Sequence, residues 1–287
     1  TRIEPWTPPA GFAQVEAVKD IGDSILRRRV EVAAAAATAK TSGQPAPGNP
    51  LAGRGAPTAL FNGMVQPLVP FGIRGVIWYQ GEANRLDGAL YTQKMFALIK
   101  GWRTVWSQGD FPFYYVQLAP FLYRGADAAM LPRLWEAQSA VLKLKHTGMA
   151  VTTDIATVRN IHPPNKQDVG RRLALWALAR TYGRNEMIYS GPLYRSLKID
   201  GNGIWLEFDH TGHGLQSRDD KPLDWFTIAG ADGDFVPARA VIHGDRVHVS
   251  SSQISAPTRV RFGWDQTAEP NLVNSAGLPA SPFRTGR

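Results

Sequence analysis

The chain has 287 residues, 44% hydrophobic and 20% charged, the balance of a folded protein with room for one large domain or two ordinary ones. It contains no cysteine, which excludes disulfide scaffolding, thiolate catalysis and cysteine-ligated zinc or iron–sulfur centres. Lysine and arginine outnumber aspartate and glutamate by 32 to 24, a formal charge of +8. The densest basic runs, the arginines at 27–29 and the pair at 171 and 172, are too short for a nucleic-acid reading, and no apolar stretch approaches the roughly twenty residues of a membrane span.

Residues 13–39 are helix-prone through alanine, leucine, glutamate and arginine, with Gly22 as a weak point. Glycine and proline across 42–57 then break regular structure and predict a surface excursion of the kind that borders functional clefts. From residue 72 the pattern changes. GIRGVIWYQGE reads as a short buried strand entering a glycine turn. A helix follows over 86–109, with Leu90, Met95, Leu98, Ile99, Trp102 and Val105 at helical spacing. FPFYYVQLAP predicts a second strand, LPRLWEAQSAVLKLKH a helix, GMAVTTDI a third strand and KQDVGRRLALWALARTYG a further helix.

This strand–loop–helix repetition predicts a mostly parallel α/β sheet, in which ligands sit beyond the carboxyl ends of strands. Gln80, Gln117, Asp154 and His162 all fall at or after such ends. From about Arg195 short β-type runs alternate with Gly-Asn, Asp-Gly and Gly-Asp turns, predicting an antiparallel appendage. The domain expectation is therefore an α/β core over 1–190 and a β-rich appendage over 191–287. The terminal segment 272–287 reads as irregular, with leucine, proline and phenylalanine pinning it back on the body.

His162 lies in NIHPPNK just before a helix, and Pro163 and Pro164 restrict its loop. A histidine there suits a general base at neutral pH, or is an ordinary loop histidine at a helix start; spacing does not separate the two. Asp154, eight residues earlier, either orients that histidine or holds the loop through backbone N–H groups. Asn160 reads as an Asx-turn residue. WYQGEAN sets Gln80 and Glu82 around Gly81 at a strand-to-helix turn, where an amide donor suits a developing oxyanion. Glu82 either orients a histidine or caps the helix behind it. Trp78 and Tyr79 read as packing residues. Ser24, after Gly-Asp, sits in a helical pattern with no strand feeding it, which argues against a nucleophile. His210 and His213 are spaced like possible metal ligands beside Asp209, but their surroundings also read as an ordinary turn between strands, and no phosphate-binding glycine motif is present.

WYQGEAN and IHPPNKQDVGRRLA, together with FNGMVQPLVPFGIRGVIWYQGEAN, FYYVQLAPF, GMAVTTDI and LPASPFRT, resemble the sialate O-acetylesterase family of carbohydrate esterases along essentially the whole chain. The resemblance implies an SGNH-type hydrolase with a flavodoxin-like three-layer core and no metal or other cofactor. It implies hydrolysis of acetyl esters on sugars, by a serine nucleophile and an acyl-serine intermediate. His162 matches the family's base and acid, Gln80 the oxyanion-stabilising position, and Glu82 and Asp154 acidic positions of the pattern. Asn160 stands where many members carry aspartate in DIHP, so a triad acid is not carried over to that place.

Thr1, Ile3, Glu4 and Trp6 match a Thr-x-Ile-Glu-x-Trp segment that relatives precede with a Gly-Gly pair and, further upstream, a Gly-Gln-Ser-Asn motif bearing the serine. The expectation is therefore a core incomplete at its N-terminus, completed by an N-terminal fragment or upstream region, and nearly inactive alone. The implied partner is an acetylated sugar or glycan, with no nucleic acid and no membrane span, in an extracytoplasmic setting. An acetylxylan esterase or related polysaccharide deacetylase would use the same chemistry. A non-catalytic carbohydrate-binding module is the reading from another class. The sequence does not choose among Arg85, Arg124 and Arg159 for a sialate carboxylate.

Overall fold

A computed structural model describes residues 1–286. The chain forms two compact units. The first comprises Thr1–Val76, Gln80–Phe113 and Lys143–His146; the second comprises Ile77–Tyr79, Tyr114–Leu142 and Thr147–Arg287.

In the first unit a short helix α1 (Pro9–Ala13) and a single 3-10 turn at Glu16–Val18 lead into the long helix α2 (Lys19–Thr41). The helix-prone run is thus cut ahead of Lys19, where Val15 and Val18 leave helical geometry and are buried with Phe12 and Ile25. Gly22 does not break α2. A Cβ there would stand 2.9 Å from Phe12 Cβ, so the glycine permits the close approach. Most of α2 faces solvent, with Leu26 and Val30 exposed.

Helix α3 (Leu90–Trp106) is the core element of this unit, burying Tyr91, Met95, Leu98, Ile99, Trp102 and Trp106. Leu90, expected inside, is exposed at the helix start. Helix α1 crosses α3 at Gly11 and Gly101, where a Cβ on Gly101 would come within 2.8 Å of Gly11 Cα. The 42–57 segment carries no regular element beyond turns.

Strands β1 (Val76–Trp78), β2 (Phe113–Val116) and β3 (Thr147–Ala150) lie side by side in that order as a parallel sheet. Past their first residues, β1 and β2 belong with β3 to the second unit. Helices α4 (Met130–Ala140) and α5 (Lys166–Arg180) complete the expected strand–helix alternation. Strand β2 is buried along its length, as an inner strand of a parallel sheet must be. Trp176 of α5 lies over Gly148 of β3, where any Cβ would fall on the indole ring. Among the described residues β1 pairs only with β2, and its Ile77 is 68% exposed.

The rest of the second unit is antiparallel. Strands β4 (Leu193–Asp200) and β5 (Gly203–Asp209) form a hairpin; β6 (Leu215–Ser217), β7 (Phe226–Ala229) and β8 (Val236–Pro237) follow, then the hairpin of β9 (Arg239–His243) and β10 (Arg246–Ser250), and β11 (Arg259–Phe262). Gly201 and Gly244 take positive φ at the hairpin turns, as the Gly-Asn and Gly-Asp pairs require. Two four-stranded sheets result, ordered β4-β5-β10-β9 and β13-β11-β7-β8, where β13 is Phe283–Arg284 near the end of the chain. Ile204, Leu206, Val247 and Val249 of the first share one core with Ile228, Val260 and Phe262 of the second.

The terminal segment is more regular than expected. It supplies β12 (Leu272–Asn274), paired with β6, and β13 (Phe283–Arg284), paired with β11. Its Leu272, Ala280 and Phe283 join the sandwich core, and Arg284 clasps Glu136 of α4 through two hydrogen bonds. Among the described residues no helix is long and apolar enough to cross a membrane.

Candidate active site

Gln80 follows β1 and ends a web of polar contacts in the first unit. Its Nε2 donates to the Thr1 carbonyl at 2.7 Å and to Asn84 Oδ1 at 2.8 Å. Its Oε1 accepts from the Tyr91 hydroxyl at 3.1 Å. Both N–H groups are therefore aimed, one at an exposed carbonyl oxygen and one at a buried anchor. Asn84 is that anchor: fully buried, it receives the Ile3 N–H and donates to Glu4 and Asp87.

Beneath it Lys94 Nζ bridges Glu4 at 2.7 Å and Asp87 at 2.6 Å, and Arg2 pairs with the same two carboxylates from outside. Burial by itself would raise the Glu4 carboxyl. Hydrogen bonds from Lys94, Arg2 and Asn84 outweigh it and hold Glu4 at about 2. Every oxygen of the two carboxylates around the buried ammonium has a donor within reach.

Glu82 opens the 3-10 turn Glu82–Asn84, half-buried, with no side-chain hydrogen bond in its unit. Its carboxylate is thus free to meet a partner.

In the second unit Asp154 lies just past β3, with Arg172 of α5 reaching it. Arg172 Nη1 and Nη2 donate to the two Asp154 oxygens, each at 2.6 Å, and Nη1 also donates to the Val151 carbonyl. Both side chains are buried. Arg218 donates to the Asp154 carbonyl at 3.1 Å, and Glu269 nearby has its pKa raised by burial, with Asp154 adding to the rise. Two buried polar atoms at this end of the sheet, Thr153 Oγ1 and Arg172 Nε, have no hydrogen-bond partner.

The loop running on from Asp154 carries His162, which is exposed and whose ring makes no hydrogen bond in its unit. The backbone around it is fixed. Asn160 Oδ1 accepts the His162 N–H at 3.0 Å, closing the expected Asx turn. Pro163 is buried. Asn165 then caps α5, accepting the Asp168 N–H and donating to the Asp168 carboxylate. The imidazole therefore stands on a defined loop with both nitrogens open.

Within each unit the structure brings Gln80 and Glu82 to one turn, and Asp154 and His162 to the two ends of one loop. Gln117 is elsewhere: fully buried, it donates to the Trp135 carbonyl and to Ser139 and Ser281, so it ties the core together. Ser24 is mid-helix in α2. Tyr79 packs on the Val116 and Trp176 cluster, with the Lys166 ammonium 4.8 Å from its ring. His210 packs edge-on against Tyr189 and Trp176, and burial lowers its pKa. Among the described residues no group of three acidic or histidine side chains is placed to hold a metal ion.

Sequence reasoning missed Asn84, Lys94 and Arg172. Arg172 had been visible only as half of a basic pair, and the signal was its place on the helix face turned toward β3.

Residues 54–178 match the family described as carbohydrate esterase, sialic acid-specific acetylesterase. The chain belongs to this family. All four candidate residues, Gln80, Glu82, Asp154 and His162, fall inside the matched span. Mouse sialate O-acetylesterase is 33% identical over 79% of this chain and 47% of its own length, and the rat protein 27% identical over 99% and 58%. A carbohydrate acetylesterase from Xanthomonas citri, known from its crystal structure, superposes with a TM-score of 0.78 at 44% identity, covering 81% of this chain and 55% of that one. The family's SGNH-type esterase fold accounts for the parallel sheet and its β-rich extension. The chain spans about half the length of the curated relatives it matches.

Proposed function

We propose that this chain is the histidine-bearing part of a carbohydrate O-acetylesterase acting on acetyl esters of sialic acid or related sugars. The observation that carries the reading is the family match over residues 54–178, which encloses both the aimed Gln80 amide and the His162 loop. In this reading a serine Oγ attacks the acetyl carbonyl carbon while His162 accepts the hydroxyl proton. The developing oxyanion takes the Gln80 N–H that now meets the Thr1 carbonyl. Collapse expels the sugar oxygen, which takes the proton from His162; water then attacks the acyl-serine by the same route and releases acetate.

Asp154, held by Arg172, fixes the start of the loop that presents His162. Glu82 is the half-buried carboxylate without a side-chain partner in its unit, available to orient an imidazole.

The serine comes, on this reading, from a segment upstream of Thr1 that also pairs with β1. Support is the open edge of β1 and the exposure of Ile77 on what is elsewhere a buried sheet. The 287-residue chain alone is then nearly inactive. The broader name of the Xanthomonas citri relative keeps polysaccharide acetyl esters within the substrate range. We infer an extracytoplasmic setting from the family alone.

The test is acetate release from acetylated sialic acid, acetylated xylan and a simple aryl acetate by the protein with its upstream region. Release that disappears with His162→Ala supports the reading. Full release from His162→Ala removes the histidine from the mechanism, and binding of sugars without any release would favour a non-catalytic module.

A further inference from the structure

The outward face of the sheet β13-β11-β7-β8 concentrates arginine. Strand β11 turns Val260 and Phe262 into the core and carries Arg259 and Arg261 at the alternate positions. Strand β13 sets Arg284 directly opposite Arg261. Arg133 of α4 adds a fourth guanidinium to the field at Arg261. Like charges placed opposite each other on neighbouring strands destabilise a sheet, so the arrangement calls for compensation.

Compensation is incomplete. Glu136 takes Arg284 through hydrogen bonds of 3.0 and 2.9 Å, and Asp127 meets Arg133 at 2.7 Å. Arg259 gives its donors to the carbonyls of Gly230 and Gly233. Arg261 has no such partner: its Nε is buried without a hydrogen bond, and no carboxylate pairs with it among the described residues. Its guanidinium carbon lies 3.8 Å from the centre of the Phe235 ring and 5.8 Å from that of Trp264. The rings offset part of the desolvation but supply no oxygen for its N–H groups. Burial, and then Arg284, Arg259 and Arg133, push its pKa down, the direction expected where a counter-charge is lacking.

We propose that Arg261, flanked by Arg259 and Arg284, binds the oxyanion of an acidic saccharide, a carboxylate or a sulfate. The planar fork of a guanidinium matches either group through two parallel hydrogen bonds. Phe235 and Trp264 give the site an apolar wall that a bare ion cannot use and the C–H face of a sugar can. The inference goes beyond the esterase reading and does not depend on it, since it concerns binding on the β-rich sheet.

The experiment is calorimetric titration of the full chain at low salt with four probes: sialyllactose, 6-sulfated lactose, lactose and inorganic phosphate. At least one acidic saccharide is expected to bind about tenfold or more tightly than lactose and than phosphate, and the better of the two identifies the oxyanion. Arg261→Gln should weaken that binding about tenfold. Glu136→Gln, which removes the carboxylate competing for Arg284, should tighten it. Lactose binding equally well, or unchanged affinity in Arg261→Gln, overturns the proposal. Phosphate binding as tightly as both saccharides would mean an adventitious ion only. Should Arg261→Gln fail to fold, Glu136→Gln decides, tightening in support and unchanged affinity against. Acetate release is not among the readouts, so failure here and failure of the esterase reading are separate results.

Discussion

Arg172 holds Asp154 by both carboxylate oxygens, at 2.6 Å each, and the residues on either side of that clasp are the end of β3 and the beginning of the His162 loop. Both partners are buried, so removing either leaves the other's charge without compensation. Arg172→Met should leave the Asp154 charge without its partner and cost about 3 to 5 kcal/mol, read as a lower denaturation midpoint. If the clasp also positions His162, Arg172→Lys should recover stability better than kcat, because a lysine keeps the charge without the two-pronged geometry. Parallel recovery of both would leave the pair a purely structural role.

His162 presents the opposite case. It is exposed and its ring has no partner in its unit, so His162→Ala should shift stability by no more than about 0.5 kcal/mol. In the protein carrying the upstream region the same change should lower acetate release by roughly three or more powers of ten. Thermal unfolding and a rate assay on one preparation check both halves.

Gln80→Ala removes a donor held in place by Thr1, Asn84 and Tyr91. The expected loss is about 10²- to 10³-fold in kcat with KM little changed, the pattern of an interaction realised in the transition state. A loss confined to KM would assign the amide to ground-state binding instead.

Glu4 sets an acid limit on the first unit. Its folded pKa of about 2 lies below the ordinary 4.5, so its contribution to stability is complete above pH 4.5 and is lost as the pH falls from there towards 2. Unfolding midpoints across that interval should decline, and Lys94→Met, which leaves Glu4 and Asp87 without the ammonium between them, should lower stability throughout the neutral range. A flat profile between pH 4.5 and 2 would show that the network contributes nothing.

Gly148→Ala probes the sheet directly. The added methyl falls on the Trp176 ring, which is itself fixed by a hydrogen bond to the Met149 carbonyl at 3.0 Å. A destabilisation of about 1 to 3 kcal/mol is expected in chemical denaturation, whereas Gly170→Ala on the open face of α5 should stabilise by up to about 1 kcal/mol.

Much of this architecture was legible because one-dimensional patterns carried it. The three core strands and the helices α3, α4 and α5 announce themselves by apolar runs and spacing, and the Gly201 and Gly244 hairpins by turn chemistry. The terminal segment was not legible, because β12 and β13 are only three and two residues long and owe their existence to partners elsewhere in the chain. Gly22 misled for a related reason: its propensity argued for a break, while its value lies in contact with Phe12. Around the candidate site, Gln80, Glu82, Asp154 and His162 could be picked out singly from their turns. What Asp154 and Gln80 touch could not, since Arg172 is eighteen residues from Asp154 and Thr1 seventy-nine from Gln80.

The three hydrogen bonds on the Gln80 amide have an entropic consequence. A free glutamine side chain samples many rotamers, and freezing one costs up to about 2 kcal/mol. Here the freezing is complete before any ligand arrives, so it is charged to folding. An oxygen that displaces the Thr1 carbonyl exchanges one acceptor for another and meets a donor with no orientational freedom left to lose.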